Sequence, residues 1–290
     1  MYFIATSPSV CSYVRSYLPH KYYEGEKYCN VSQKNGELVI QKDQEIKPRK
    51  GDVFVMHRIT SRAHMELALK WQLLGATFIY DNDDTYLGVS KDSPFVDAVE
   101  HIEKSTYNHM AVMGADYVTE TTNYLATEYA NMREDKKAYV IPNMVDVDLY
   151  VPNFSKKEKK TRVLLTGSVL FAEQLHGFDK VLQYLLNNEH IQVVFFGETQ
   201  IEKYEKLKQE KKISDDIWKS ITATKKYIET GKIEVHETVN VQHYPEKLCE
   251  LNCDISLVPR EDNHFNRAKS NIKYLECSCA GMITIGQGFD

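Results

Sequence analysis

The sequence lacks the features that would mark a membrane-spanning protein or a general nucleic-acid binder. It contains no run of about 18 apolar residues, so no transmembrane helix is predicted. Its formal net charge is -5, whereas general nucleic-acid binders carry a basic face, and nucleic acid is therefore excluded as an expected partner. The first six residues have no basic segment followed by a long apolar core, so we expect a first β-strand there rather than a signal peptide.

The sequence also lacks cysteine spacings of the standard zinc or redox types. Its six cysteines form only C-x-x-x-C and C-x-C spacings, and most of them lie in apolar, periodic segments. We therefore expect buried free thiols in a reducing compartment, and a cytoplasmic location. These cysteines are Cys11, Cys29, Cys249, Cys253, Cys277 and Cys279.

The length and composition indicate a folded protein of two domains. The chain has 290 residues, of which 42% are hydrophobic and 27% charged. Domains typically have about 100–200 residues, so two are expected. The apolar periodicity is interrupted once, between Pro142 and Arg162, where a lysine-rich run at 156–160 marks a linker. The predicted domains are residues 1–155 and 156–290.

Short apolar runs alternate with longer segments of helical periodicity in both halves of the chain. The predicted strands are 2–5, 53–56, 77–80, 117–119, 138–141, 162–166, 192–196, 232–235, 254–258 and 282–285. The predicted helices are 10–17, 62–74, 95–113, 122–132, 178–186, 201–209, 215–230, 244–251 and 269–278. Asn35-Gly36 predicts a hairpin between 28–32 and 37–40, because both residue types tolerate positive φ.

This alternation predicts parallel β-α-β units with helices on both faces of each sheet. The expected fold class is α/β, with two Rossmann-like doubly wound domains facing across a cleft. The sequence stops at Asp290, directly after the fifth predicted strand of the second half. A common doubly wound half has six strands and a covering helix, so we expect that a C-terminal portion is missing or unusually short.

The last third of the chain carries the clearest candidate binding site. After the strand 254–258 comes a polar loop with Arg260 and Lys269, and then a helix with Lys273 and Glu276. Ligands of open α/β sheets bind beyond the carboxyl ends of the strands, where cations and helix N–H groups suit a phosphate. Glu276 suits the paired hydroxyls of a ribose, so the pattern indicates a nucleotide-sugar site.

Each of these residues also has a simpler interpretation. Lys269 and Lys273 could belong to a solvated helix face, and Glu276 could form only an intrahelical pair with Lys273, worth about 0.2–0.5 kcal/mol. In favour of the site, Asn266 and Ser270 are expected to cap the helix.

Further donor-site candidates follow the first strand of the second half. Gly167 and Ser168 end an apolar run, and a glycine there would let the backbone approach a phosphate or would simply form a tight turn. His176, beside Gly177 at a predicted helix start, is a candidate for contact with a sugar or a diphosphate.

An acidic cluster and a histidine mark the first half. Asp81, Asp83 and Asp84 lie within four residues and repel one another unless a cation, a sugar hydroxyl or a helix N-terminus relieves them. Asp81-Asn82-Asp83 also fits the D-x-D pattern of metal-dependent transferases, and a loop and capping cluster is a third interpretation. His57, followed by Arg58, could line a cleft or be a hydrogen-bonded structural feature.

Three stretches together resemble the large retaining family of two-Rossmann-domain (GT-B) glycosyltransferases, the group 1 or family 4 kind, of bacterial or phage type. Residues 139–146, YVIPNMVD, followed by Tyr150, are similar to its interdomain "IPNGVD" segment, with Met144 in place of glycine. Residues 164–168 and 176–180 resemble the start of its donor domain, and residues 254–285 resemble its nucleotide-sugar loop and helix. Residues 79–84 are similar to an acidic strand end in the acceptor domain of some members.

The resemblance implies a metal-independent hexosyltransferase-like enzyme without a cofactor. It would move a sugar, with retention, from a nucleotide-diphosphate-sugar to a glycan, lipid-linked or other acceptor, and a peripheral membrane contact stays open. Arg260, Lys269 and the Gly167-Ser168 backbone would stabilise the leaving phosphate, and Glu276 would orient the ribose. His57, Asp83 and Asp84 would face the acceptor in the first domain.

Two departures from the family pattern keep other functions open. Ala268 stands where the family has its first glutamate, and residues 168–177 contain neither the arginine nor the lysine that usually holds the diphosphate. Lys269 and Arg260 could replace those cations. The alternative is a non-catalytic GT-B-like binding or interaction module, and a third hypothesis is a metal-dependent transferase built on Asp81 and Asp83.

Overall fold

The computed structural model describes residues 1–34, 37–40, 46, 48–89, 91, 93, 96, 102–153, 159–169 and 177–288. The chain forms two compact units. Within the described residues, the first contains Met1–Gly88, residues 102–145 and the short segment Arg267–Ser270, and the second contains Val89–Asp97, residues 146–266 and 271–288. The fold of the first unit therefore includes four residues from late in the chain.

The first unit is built on a six-stranded sheet in which all neighbouring strands are parallel, in the order β2-β1-β5-β6-β7-β8. A separate antiparallel pair, Val31–Lys34 with Glu37–Ile40, lies on either side of the predicted turn, whose residues Asn35 and Gly36 are outside the described residues. The first strand of this pair was predicted at 28–32, but Tyr28–Cys29 instead joins the parallel sheet. The strands are β1 Tyr2–Ala5, β2 Tyr28–Cys29, β3 Val31–Lys34, β4 Glu37–Ile40, β5 Val53–His57, β6 Thr77–Asn82, β7 Tyr117–Glu120 and β8 Tyr139–Val140.

Helices with capped N-termini connect these strands. The Ser61 and Thr122 side chains accept hydrogen bonds from backbone N–H groups three residues on, as N-cap residues do. The π-helical turn Tyr13–Tyr17 joins two short α-helical segments. The described helices of this unit are Val10–Ser12, Leu18–Tyr22, Arg62–Leu73, Ile102–Gly114 and Asn123–Met132.

The second unit has a five-stranded parallel sheet in the order β11-β10-β9-β12-β13. Counted within the unit this is 3-2-1-4-5, the doubly wound order, with the topological switch point between β9 and β12. The strands are β9 Thr161–Val169, β10 Ile191–Glu198, β11 Ile233–His236, β12 Ile255–Val258 and β13 Ile283–Gly286. The described helices are Val147–Leu149 (3-10), Asp179–Asn187, Ile201–Gln209, Asp215–Glu229, Tyr244–Glu250, His264–Arg267 and Ile272–Cys279.

The central strands of the second unit are apolar on both faces. Leu164 and Phe196 pack in one hydrophobic cluster, while the adjacent Leu165 and Phe195 pack in another on the opposite face. A sheet covered by helices on both sides requires such continuous apolar strands. The predicted fold class, α/β with two Rossmann-like units, is therefore confirmed.

The predicted elements differ from the observed ones mainly at their ends. The strand that was predicted to end at Met56 continues to His57, the one predicted to end at Tyr80 continues to Asn82, and β9 runs on to Val169. His57 and Asn82 are polar and so do not extend an apolar run in the sequence, although both pair with residues of neighbouring strands. Of the predicted helix 95–113, residues 95 and 97–101 lie outside the described part of the chain, which has a helix at Ile102–Gly114.

All six cysteines are free, as predicted, and four of them are buried. Burial raises the pKa of the Cys11 and Cys253 thiols to about 12, and that of the Cys277 thiol to about 11. Among the described residues, no helix is both long and apolar enough to cross a membrane.

Candidate functional site

A cation lies at the carboxyl end of β9 in the second unit. Gly167 and Ser168 belong to β9 itself, and the Lys273 ammonium donates a hydrogen bond to the carbonyl oxygen of Thr166. This strand end borders the switch point between β9 and β12, where open α/β sheets bind their ligands. Lys273 and Gly167 are thus close together at the position that this fold offers to a ligand.

A close backbone approach explains the glycine on the neighbouring strand. Gly197 of β10 has φ +143°, and a Cβ atom there would lie 1.8 Å from the Gly167 carbonyl oxygen. No side chain fits at this distance, so only glycine allows the two backbones to meet. The approach holds the chain around Gly167 at the end of the sheet.

Glu276 lies one helical turn after Lys273 and is half-buried. It accepts a hydrogen bond from the Tyr244 hydroxyl, and the Tyr244 ring stacks on Phe196 with centroids 5.2 Å apart. Burial raises the pKa of the Glu276 carboxyl to about 7, although the Lys273 charge and the Tyr244 hydrogen bond act in the opposite direction. A ligand that donates hydroxyl hydrogen bonds to this group would favour its charged form.

The loop after β12 is shaped by Asn266. Its side-chain amide donates to the Glu261 carbonyl oxygen at 3.0 Å, and its backbone N–H donates to Asn263 Oδ1 at 2.9 Å. Its own Oδ1 is buried and makes no hydrogen bond within the described part of the chain. Arg260 lies half-buried at the start of this loop. The loop therefore presents one cation and holds one buried acceptor.

The predicted capping of the last helix by Asn266 and Ser270 is wrong. The helix begins at Ile272, and its N-cap residue, Asn271, makes no side-chain capping bond. The Ser270 hydroxyl accepts a hydrogen bond from Asn143 Nδ2 at 2.8 Å, and the Asn266 amide is used within the loop. Both predicted caps fail because their side chains have other partners.

In the first unit, Asp81 is held by a buried arginine. Arg15 Nε donates to Asp81 Oδ2 at 2.9 Å, a second guanidinium nitrogen of Arg15 binds Oδ1, and the Thr119 hydroxyl donates to Oδ1 at 2.6 Å. Asp81 is only 2% exposed. These contacts relieve the repulsion expected within the acidic cluster and give Asp81 a structural role.

Asp83 lies between two basic side chains. Its Oδ1 is 2.9 Å from His57 Nε2 and 2.5 Å from Arg58 Nε. Burial alone would raise the pKa of Asp83, but the Arg58 charge and the His57 contacts hold it well below its ordinary value. Asp83 is therefore a carboxylate at neutral pH. His57 and Asp83, predicted from separate strand ends, are in direct contact.

Asp84 pairs with a lysine from the returning segment Arg267–Ser270. Lys269 Nζ lies 2.5 Å from Asp84 Oδ2, and an Arg58 guanidinium nitrogen lies 3.5 Å from the same oxygen. Lys269 thus contacts the group formed by His57, Asp83 and Asp84, whereas the sequence predicted it beside Lys273.

Three residues near these groups were not predicted as site residues. Arg15 and Tyr86 lie in stretches without a motif, and Glu120 ends β7 in register with Asn82. Glu120 is fully buried, its carboxyl oxygens have no hydrogen-bond partner in the described structure, and burial together with Asp81 raises its pKa well above the ordinary value. Glu120 could have been predicted from the sequence, because it is a charged residue at the end of an apolar strand.

Two predicted donor-site features are outside the described residues. His176 lies in an undescribed stretch, as does the side chain of Ser168, whose backbone belongs to β9. The described candidates form one group in the first unit and another in the second. The first comprises His57, Asp83, Asp84 and Lys269, with Ser270 next to Lys269 in sequence, and the second comprises Gly167, Arg260, Asn266, Lys273 and Glu276.

No protein-family model matches the sequence, and no curated protein matches it. Solved structures are similar to it in fold. A crystal structure of TarM matches with a TM-score of 0.50 and 9% identity, over 81% of this chain and 40% of the TarM chain. A point mutant of S. aureus TarM, in complex with fondaparinux, alpha-GlcNAc-glycerol and UDP, matches with a TM-score of 0.50 and 8% identity, over 81% and 41% of the two chains.

A third solved structure is the pneumococcal O-GlcNAc transferase GtfA in complex with UDP and GlcNAc. It matches with a TM-score of 0.49 and 12% identity, over 90% of this chain and 48% of the GtfA chain. The chain spans about 40% of the length of TarM. At this level of identity, the TarM likeness shows the fold alone, an α/β fold with two Rossmann-like units.

Proposed function

We propose that the chain is a glycosyltransferase that uses a nucleotide-diphosphate-sugar as donor. The observation that carries this proposal is the pair Lys273 and Glu276, one turn apart on a helix beside the switch point of the second sheet. Lys273 offers a cation at the strand end where a phosphate would lie. Glu276 offers two carboxylate oxygens to the vicinal hydroxyls of a ribose.

The chemistry requires charge stabilisation on the leaving nucleoside diphosphate. Fixed cations and backbone N–H groups supply it with little reorganisation as the glycosidic bond breaks. Lys273, Arg260 and the backbone at Gly167 and Ser168 are the groups of the second unit that would do this. The proposed mechanism needs no metal and, from the family resemblance, retains the anomeric configuration.

The first unit is proposed to bind the acceptor. His57 is the best candidate for contact with an acceptor hydroxyl, because Asp83 fixes one of its ring nitrogens while the other, Nδ1, has no hydrogen-bond partner in the described structure. Asp83 is locked as a carboxylate and would orient the imidazole. The proposed roles divide the chain near residue 155, with donor binding in 156–290.

The structural neighbours support a choice of first ligands. The TarM mutant was crystallised with UDP, with alpha-GlcNAc-glycerol and with the sulfated glycan fondaparinux. We therefore propose UDP as the nucleotide to test first and a glycan as the acceptor class. A lipid-linked acceptor, which would require peripheral membrane contact, is the alternative acceptor. The six free cysteines favour a reducing compartment, and we propose a cytoplasmic location.

A thermal-shift screen tests the donor site. Purified protein is heated with UDP, GDP and CMP nucleotides and their sugars, with and without EDTA. A ligand that binds only the folded state raises the melting temperature by mass action. A shift with one nucleotide that persists in EDTA and is lost in Lys273→Ala and Glu276→Ala supports the proposal. If no nucleotide shifts the wild type, the donor-site assignment is wrong.

A non-catalytic binding module is the second candidate. Ala268, at the position of the family's first glutamate, is fully buried in the core of the first unit, so the residue at this position contacts core side chains instead of a sugar. The two functions differ in turnover: an enzyme releases free nucleotide from the donor sugar when an acceptor is present, whereas a binding module only binds it. A metal-dependent transferase would in addition lose activity in EDTA.

A further inference from the structure

Two cations of the first unit converge on a single carboxylate oxygen. Lys269 Nζ and an Arg58 guanidinium nitrogen lie 2.5 Å and 3.5 Å from Asp84 Oδ2. The Lys269 and Arg58 side chains are both 24% exposed and that of Asp84 is 18% exposed, so solvent and small anions reach the group. One carboxylate oxygen between two cations has the same surroundings as an oxygen of a bound phosphate.

The backbones that carry the two cations are fixed. Arg58 has a left-handed conformation with φ +56°, its N–H donates to the Asp81 carbonyl oxygen at 3.0 Å, and the Thr6 hydroxyl donates to its carbonyl oxygen at 2.6 Å. A non-glycine residue in this region is uncommon, and Arg58 is one of five in the described part of the chain. On the other side of Asp84, Ala268 is buried in the core next to Lys269.

Asp84 is the exchangeable anion of the group. Asp83 accepts hydrogen bonds from both Arg58 and His57 and is only 9% exposed, and its pKa is held well below the ordinary range. Asp84 is more exposed, its Oδ1 accepts a hydrogen bond from the Thr85 backbone N–H at 3.0 Å, and its Oδ2 forms the ion pair with Lys269. An incoming anion would therefore displace Asp84 and leave Asp83 in place.

A third group beside the cations also points to a ligand. Tyr86 is 9% exposed, and its hydroxyl is buried without a hydrogen-bond partner in the described residues. Burial raises the pKa of this hydroxyl, Arg58 lowers it, and Asp83 and Asp84 raise it, so the hydroxyl lies within electrostatic range of these groups. An unpaired hydroxyl donor in a buried position is unfavourable unless an acceptor binds to it.

We propose that Arg58, Lys269 and Tyr86 form a phosphate-binding site, which the Asp84 carboxylate occupies until a phosphate of the substrate replaces it. This deepens the proposed transferase function and rests on it for the identity of the substrate. The phosphate is one carried by the acceptor, because the first unit is proposed to bind the acceptor and the donor's diphosphate is assigned to Lys273 and Arg260 in the second unit. Asp84 then acts as a competing internal anion, which lowers the affinity for ligands that cannot displace it.

Titration with inorganic pyrophosphate at low ionic strength tests the site without any assumption about sugar or base. Asp84→Asn removes the competing charge, and we expect its pyrophosphate affinity to rise about fivefold, since an accessible ion pair of this kind contributes up to about 1 kcal/mol. Asp135→Asn is the matched control: it removes the same charge from an exposed carboxylate of the same unit, paired with Arg133. This control should keep wild-type affinity within about twofold.

Two further variants make the result specific. Tyr86→Phe removes one hydroxyl and keeps the ring, and it should weaken pyrophosphate binding about threefold, as expected for one hydrogen bond. The double variant Asp84→Asn with Lys269→Gln should not show the higher pyrophosphate affinity expected of Asp84→Asn alone. The proposal is overturned if Asp84→Asn and Asp135→Asn behave alike, or if Asp84→Asn weakens binding.

The same variants identify the source of the phosphate. If Asp84→Asn tightens pyrophosphate binding and leaves UDP binding unchanged, the site holds a phosphate of the acceptor, as proposed. If it tightens UDP binding by the same factor, the assignment of this site to the acceptor is overturned. Loss of UDP binding in Glu276→Gln with unchanged pyrophosphate binding separates this site from the donor site of the second unit.

Discussion

Single ionisable side chains of this chain combine an effect on folding stability with a proposed role in binding. Glu276 is the clearest example, because burial raises its pKa from 4.5 to about 7. Between these values the folded chain holds a proton that the unfolded chain releases. The contribution of Glu276 to the free energy of unfolding therefore falls as the pH rises from 4.5 to about 7, and it stays low at higher pH.

Glu276→Gln removes this cost. We expect the variant to be more stable than the wild type by about 1–2 kcal/mol near pH 8, a value reduced for the partial exposure of the group, and equally stable near pH 4. The same substitution should weaken nucleotide binding, since the amide offers one acceptor oxygen in place of two. Chemical denaturation at both pH values and nucleotide titration measure the two effects.

Glu250→Gln, on an exposed helix position, is the control and should change neither property. A variant of Glu276 that is less stable at both pH values would show that the carboxylate stabilises the fold and does not await a ligand.

Asp83 has the opposite relation to pH. Its pKa is held well below the ordinary value by Arg58 and His57, so its contribution to stability is present at neutral pH and is lost as the pH falls through its folded-state pKa. Asp83→Asn leaves Arg58 without its main counter-ion, and we expect a loss of about 3 kcal/mol at neutral pH. Urea unfolding measures it.

The comparison for Asp83 is Asp216→Asn, whose carboxylate pairs with Lys219 on an exposed helix surface. Surface pairs contribute at most about 1 kcal/mol, so the control should remain close to wild type. Equal effects of the two substitutions would contradict a buried, structurally coupled role for Asp83.

At the scale of single elements, the meeting of β9 and β10 depends on one glycine. Gly197→Ala would place a methyl group 1.8 Å from the Gly167 carbonyl oxygen and force a residue with a side chain to φ +143°. We expect a loss of at least about 3 kcal/mol or failure to fold, because neither backbone can move without breaking the sheet.

Gly231→Ala separates the two causes. Gly231 also has positive φ, at +70°, but a Cβ atom there would meet nothing within 4 Å. Its substitution should cost about 1 kcal/mol through backbone strain alone. Thermal unfolding of both variants is the measurement, and similar losses would show that the contact with Gly167 does not matter.

Much of the element pattern could be predicted from the sequence, because it rests on local periodicity. The alternation of apolar strands and amphipathic helices is visible within windows of ten to fifteen residues, and Ile201–Gln209 was predicted at its observed bounds. The strand ends were predicted less well, since His57 and Asn82 continue strands through pairing that no apolar pattern shows.

The candidate site was predictable as a set of residues but not as a set of contacts. The acidic cluster and the Lys273–Glu276 helix were found because charged residues at strand ends and on one helix face are visible in sequence. The contact partners of Asp81 and Asp84 were not predicted, since Arg15 lies 66 residues from Asp81 and Lys269 lies 185 residues from Asp84 in the sequence. Such distant pairs follow from the topology, which local patterns do not specify.

On the scale of the whole molecule, the first unit depends on a segment that the chain supplies late. Ala268 is buried among side chains of the first unit, and its carbonyl oxygen accepts a hydrogen bond from the Thr122 hydroxyl at 3.4 Å. A change at this position should therefore affect residues far earlier in the sequence more than its immediate neighbours.

Ala268→Glu tests this dependence and also introduces the glutamate that the glycosyltransferases resembled in sequence usually have at this position. A carboxylate at a fully buried position costs at least about 3 kcal/mol, so we expect a destabilised first unit and no gain of activity. Hydrogen exchange should become faster in 1–88 and 102–145 while 161–198 keeps its protection. Ser278→Glu, an exposed helix position, is the control. Faster exchange confined to residues around 268 would contradict the assignment.

Three of the six thiols should react only slowly with chemical labels. Maleimide and iodoacetamide react with thiolates, and a thiol with a pKa of about 11 or 12 is almost entirely protonated at neutral pH. A single cysteine introduced at an exposed position such as Met113 should therefore take up a fluorophore much faster than Cys11, Cys253 or Cys277. Dyes could then be attached to chosen sites of each unit without first removing these three native cysteines.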